Sequence, residues 1–115
     1  MTQFSSSINN PFQLNSAIPA IISTVTPNYN AGISKTTKFT ADRAGVVCLV
    51  QNQGSYYGDA YVLINGKEVW RFSGSSSNSS SSASFIVSAG DAFNYVLASG
   101  NYAVKSIILY PYRGN

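Results

Sequence analysis

From Ile33 to the C-terminus, apolar and polar residues alternate with the period of two that a β-strand requires. Thr36–Ala41 sets Thr37, Phe39 and Ala41 on one face, and a turn at Asp42-Arg43 leads into a strand over Ala44–Gln51. The runs Asp59–Ile64 and Lys67–Ser73 flank Asn65-Gly66. Both positions of that dipeptide tolerate positive φ, so it predicts a tight hairpin. Ser84–Ser88 and Ala92–Ala98 lie on either side of Ala89-Gly90-Asp91, and Ser99-Gly100-Asn101 turns into Tyr102–Tyr110. Turns recurring about every 8–12 residues predict an all-β sandwich or barrel. No 3.6-residue apolar period persists long enough for a helix.

A sheet packed on one face should be apolar on that face only. Val46–Val50, Tyr61–Ile64 and Ile107–Tyr110 are apolar on both. A two-layer sandwich buries only the inner face of each sheet, so part of an outer face needs a further cover. Another copy of the chain is the simplest one. The candidate contact is formed by Val46, Cys48, Val50, Ile108 and Tyr110; a closed barrel with surface aliphatics is the alternative.

Residues 1–32 differ in character. They are rich in Ser and Asn, punctuated by Pro11, Pro19 and Pro27, and read as an N-terminal arm ahead of a sandwich domain over residues 33–115. Ala17–Val25 is a possible first strand, which Pro19 would confine to an edge. Gly74–Ser84 is nearly all serine, offers no side chains for a core, and predicts a mobile, exposed loop.

At 115 residues, 44% hydrophobic and 10% charged, the chain fits one folded domain whose surface is polar but mostly uncharged. The net charge of +3 comes with no dense basic stripe interleaved with aromatics. Lys35, Lys38 and Arg43 read better as a solvated strand edge, and no nucleic-acid partner is expected. Cys48, the single cysteine, can form no internal disulfide and reads as a small hydrophobe. The N-terminus lacks the basic-then-apolar pattern of a secretion signal, and no apolar run approaches the ~20 residues of a membrane span. Synthesis in a cytoplasm without membrane insertion is the expectation.

The residues that usually carry catalysis are scarce. There is no histidine, and the acids are Asp42, Asp59, Glu68 and Asp91, each at a turn, a strand entry or beside a hairpin. A Ser-His-Asp triad and Cys/His zinc ligation are impossible, no Ser-x-x-Lys spacing replaces them, and no cofactor or metal is expected. A carboxylate pair for glycoside cleavage remains formally available. Tyrosine is more promising, since an exposed ring gives a rigid contact with a hydrogen-bonding tip for sugar or protein surfaces. Among the eight tyrosines, Tyr56 and Tyr57, set between Gly54 and Gly58, are the first candidates for ligand binding, with Tyr29 and Tyr112 beside them; packing at a sheet end is the alternative. Trp70 is read as sharing a core-directed face with Glu68 and Phe72.

Four segments in order resemble small trimeric jelly-roll domains of bacteriophage fibres. Phe39-Thr40-Ala41-Asp42-Arg43-Ala44-Gly45-Val46-Val47 is similar to their "yTAp-x-dGyv" opening. Val62-Leu63-Ile64-Asn65-Gly66-Lys67-Glu68-Val69 is similar to "v-x-vNG-x-x-v". Phe85-Ile86-Val87-Ser88-Ala89-Gly90-Asp91-Ala92 is similar to "x-vpvkkGDvv", and Ile107-Ile108-Leu109-Tyr110-Pro111-Tyr112 to "v-x-fyP". Complement-type and tumour-necrosis-factor-type jelly rolls show the same order more loosely. Ser88-Ala89 departs from the lysine pair usual before Gly-Asp, the serine insert has no counterpart, and the arm lacks a heptad or collagen-like stalk. The resemblance implies a jelly-roll β-sandwich assembled as a homotrimer. It further implies a non-enzymatic fibre or spike knob, or a virion-surface decoration, that binds host-cell glycan or another virion protein. A small, cytosolically made jelly-roll lectin is the alternative, and a hydrolase of cell-envelope sugar a third reading.

Overall fold

A computed structural model describes residues 25–52, 57–74 and 80–114. Its strands are β1 (Ile33–Ser34), β2 (Lys38–Thr40), β3 (Gly45–Asn52), β4 (Gly58–Ile64), β5 (Lys67–Gly74), β6 (Ser80–Val87), β7 (Ala92–Ser99) and β8 (Ala103–Pro111). They form two antiparallel sheets packed as a sandwich. Sheet one has the order β1-β8-β3-β6 and sheet two the order β2-β7-β4-β5. Every link between consecutive strands crosses from one sheet to the other except the β4–β5 hairpin.

The alternation in the sequence explains the layers. Along β3, Val47, Leu49 and Gln51 are buried while Val46, Cys48 and Val50 are half-buried. The interior joins Val47, Leu49, Phe85, Val87, Ile107 and Leu109 of sheet one to Ala60, Val62, Phe93 and Tyr95 of sheet two. Phe85 meets Phe93 edge-on across the interior, their centroids 5.8 Å apart. Gln51 is the buried polar member among the described residues; its Nε2 donates to Ser81 Oγ at 3.1 Å, and the Tyr95 hydroxyl donates to its Oε1 at 2.7 Å. Those bonds let an amide enter an apolar interior without an unmet polar atom.

Asn65 and Gly66 adopt φ of 55° and 79°, the doubly positive pair the hairpin sequence predicts. The turn is pinned from outside. Asn65 Nδ2 donates to Asp91 Oδ1 at 2.9 Å and the Ala92 N–H donates to Asn65 Oδ1 at 2.9 Å. The Asn-Gly and Gly-Asp motifs therefore meet at one end of the sandwich.

Two expectations are corrected. The serine tract is not wholly a loop: Ser80–Val87 is strand β6, with Ser80, Ser81 and Ser82 opposite Asn52, Gln51 and Val50. Ladder bonds come from the backbone and ask nothing of the side chain. The hydroxyls contribute as well, since Ser80 Oγ donates to Asn52 Oδ1 at 3.0 Å and Ser81 serves Gln51. Second, Glu68 does not share a face with Trp70. The β4–β5 register shifts between Val62 and Leu63, pairing Val62 with Trp70 but Leu63 with Glu68. Glu68 keeps its place opposite Leu63 on the outer face, and the extra residue, Val69, forms a bulge that swings Trp70 and Phe72 inward onto the core.

The possible strand at Ala17–Val25 lies outside the described residues apart from exposed Val25. The segment after it is attached to sheet one. Pro27 bridges Tyr112, the Asn28 N–H donates to the Pro111 carbonyl at 2.7 Å, and the Arg113 N–H to the Thr26 carbonyl at 2.9 Å.

Candidate functional site

The central strands of sheet one, β3 and β8, together with the edge strand β6, assemble a largely apolar outer face. Val46 lies opposite Ile86 and Tyr110, Cys48 opposite Ser84 and Ile108, and Val50 opposite Ser82 and Ser106. Cross-strand partners share a face, so the five residues singled out as a contact, Val46, Cys48, Val50, Ile108 and Tyr110, form one continuous patch. Sequence reasoning missed Ile86, which extends the patch and is 74% exposed. Tyr29 continues it at one end, with its ring 5.1 Å from that of Tyr110.

The four tyrosines singled out for ligand binding are not gathered. Tyr56 lies outside the described residues. Tyr57 is 75% exposed and directly precedes β4, at the end where Asn52, Gly74 and Ala103 also lie. Tyr29 and half-buried Tyr112 lie at the opposite end, where the Tyr112 N–H donates to the Ala44 carbonyl at 3.1 Å. No single ligand-sized surface includes both Tyr57 and the other two.

The outer face of sheet two is chemically different, and sequence reasoning did not find it. Arg71 on β5 donates through Nη1 to Asp59 at 2.6 Å and through Nη2 and Nε to Glu68 at 2.8 and 3.1 Å. Its guanidinium lies over the Tyr61 ring, 4.7 Å from the centroid. Ser73 Oγ adds a bond to Asp59 at 2.9 Å. The Ser73 hydroxyl, with Arg71, holds the Asp59 carboxyl below its ordinary range, and Arg71 does the same for Glu68. The two carboxylates in turn raise Arg71.

Beside this cluster runs a groove of about 400 Å³ over β7. Lys38 and Thr40 of β2 and Asn94 of β7 supply polar groups, and Leu63 of β4 an apolar floor. The hollow exists because Ala92 is small and Gly66 has no side chain, with nothing within 4 Å of where a Cβ would stand.

The remaining acids are also engaged. Asp91 is held below its ordinary range by the Ser88 N–H, at 2.8 Å, and by Asn65; Asp42 is lowered by its bond to Arg43. All four Asp and Glu side chains are therefore stabilised in the charged form, and none of them is poised to donate a proton near neutral pH. Among the described residues, no cluster of three His, Cys, Asp or Glu side chains could hold a metal ion.

No protein-family model matches the chain, and no curated protein sequence matches it. Among solved structures, the crystal structure of the Podospora anserina GH26-CBM35 beta-(1,4)-mannanase aligns with 81% of this chain and 24% of its own, at 17% identity and a TM-score of 0.44. The chain spans about a quarter of that protein's length. So distant a likeness carries no argument about the site.

Proposed function

We propose that this chain is a non-enzymatic jelly-roll module that assembles as a homotrimer through the outer face of sheet one. In this reading it works at the surface of a phage or prophage virion, binding host-cell glycan or another virion protein. The jelly-roll reading is supported by the strand order, two four-stranded sheets whose links cross from sheet to sheet at every step but one. The virion setting rests on the order of the four sequence motifs.

The observation that carries the assembly is the composition of one face. Val46, Cys48, Val50, Ile86, Ile108 and Tyr110 lie side by side without a charge among them or their serine neighbours. Monomeric proteins seldom leave so contiguous an apolar surface in water. Only 10% of the residues are charged, and among the described strands sheet two holds most of them, Lys38, Asp59, Lys67, Glu68 and Arg71, against Lys105 in sheet one. The binding role is supported by the four engaged carboxylates, which leave the chain little acid–base chemistry.

Sedimentation equilibrium at micromolar concentration tests the assembly. A trimer is expected, and Ile108→Glu should give a folded monomer with an unchanged circular dichroism spectrum. A monomeric wild type removes the argument; a dimer keeps the buried face but removes the trimeric family reading. A glycan array probed with the assembled protein separates a glycan-binding knob from a purely structural part.

A further inference from the structure

We infer that the groove on the outer face of sheet two is a subsite for a carboxylate-bearing sugar residue. This deepens the glycan-binding half of the proposed function and rests on it. Its volume of about 400 Å³ lies within the ~300–1,000 Å³ range of small-ligand sites, at the end suited to one or two sugar rings. The lining pairs apolar surface with a few hydrogen-bonding groups. Leu63 can meet the C–H face of a pyranose, while the Thr40 hydroxyl and the Asn94 amide can each donate to and accept from ring hydroxyls.

The charge of the ligand follows from where the acids are. Asp59 and Glu68 are taken by Arg71, Asp91 by Asn65 and the Ser88 N–H, and Asp42 by Arg43. Lys38, on the rim, forms no ion pair among the described residues, and no acidic residue lines the groove. Its ammonium offers three donors and a full charge to an incoming carboxylate, a stronger bond than any neutral pairing here would give. A neutral sugar would leave that charge uncompensated. Because the groove lies on the sheet opposite the proposed assembly face, a trimer can present it outward on every copy.

The test is a titration of the ¹⁵N-labelled full chain with two acidic probes, oligogalacturonate and sialyllactose, and their uncharged counterparts, methyl-esterified oligogalacturonate and lactose. At least one acidic probe should shift the amides of Lys38, Thr40, Leu63 and Asn94 saturably. Binding should weaken about tenfold or more for the uncharged counterpart and for Lys38→Met, as loss of a charge-assisted bond requires. Lys105→Met on β8 should bind like the wild type. The inference is overturned if neither acidic probe shifts the groove, if the uncharged counterpart binds equally, or if Lys105→Met weakens binding as much as Lys38→Met. Sedimentation of the same samples distinguishes the failures. A trimer that binds neutral glycan elsewhere refutes the subsite alone, whereas a change of oligomeric state in Lys38→Met makes the groove a contact between copies and refutes it too.

Discussion

Tyr95 on β7 and Gln51 on β3 are joined by a 2.7 Å hydrogen bond that crosses the interior from one sheet to the other. Apolar faces alone would allow the sheets several offsets, but a buried amide bonded to a tyrosine of the opposite sheet fixes one. Replacing Tyr95 with Phe leaves Gln51 Oε1 buried and unbonded, which should cost about 1–3 kcal/mol in urea denaturation. Adding Gln51→Leu should recover most of that loss, because removing both partners of a buried pair costs far less than orphaning one. A Tyr95→Phe variant as stable as the wild type would show that the bond fixes nothing.

Ser81 and Ser82 are neighbours on β6 with opposite tasks. Ser81 accepts from the buried Gln51 amide, whereas Ser82 lies opposite Val50 on the outer face. Ser81→Ala should therefore destabilise the fold by about 1–2 kcal/mol, while Ser82→Ala stays within about 0.5 kcal/mol of the wild type. Equal effects would mean that the tract contributes only backbone.

That pair also shows where the sequence was readable. The strands of the C-terminal part and the Asn65-Gly66 turn were legible because alternation and positive-φ residues are local signals. The serine strand was not, since serine has no marked strand preference and its partner β3 lies some thirty residues away. The Arg71 cluster was hidden for another reason. Counting outward from a regular two-residue turn sets Tyr61 opposite Trp70; the bulge at Val69 moves Arg71 into that place, beside Glu68 on the outer face, and sends Trp70 inward. The apolar patch on sheet one was legible because β3 and β8 are apolar on both faces, while the groove depends on the absence of side-chain bulk at Ala92 and Gly66, which carries no positive mark in a sequence.

Asp91 gives the fold a dependence on acid. Its pKa in the folded state is depressed by the Ser88 N–H and by Asn65, while the unfolded chain titrates near the ordinary 3.8. A depressed carboxylate stabilises above the unfolded value, and the contribution disappears as the pH falls through the folded one. Asp91→Asn should thus be less stable than the wild type at neutral pH, and the gap should narrow as the pH drops below 3.8. Melting curves from pH 7 to pH 2 measure it. A gap that stays constant across that range would assign the effect to shape rather than charge.

Cys48 reports on the face proposed to carry assembly. It lies between Ser84 and Ile108 at the centre of the patch, with its Sγ 3.7 Å from Ser84 Oγ, and it is half-buried in a single protomer. A thiol reagent needs an accessible sulfur that can ionise, so covering the patch with another copy should slow the reaction even though the protomer is unchanged. The rate should therefore rise on dilution as the assembly dissociates, by mass action. Ile108→Glu should react quickly at every concentration, because its charge is costly to bury against Val46 and Val50. Rates that match the variant's while sedimentation reports a trimer would mean that the copies meet elsewhere, and that the apolar face of sheet one serves a different partner.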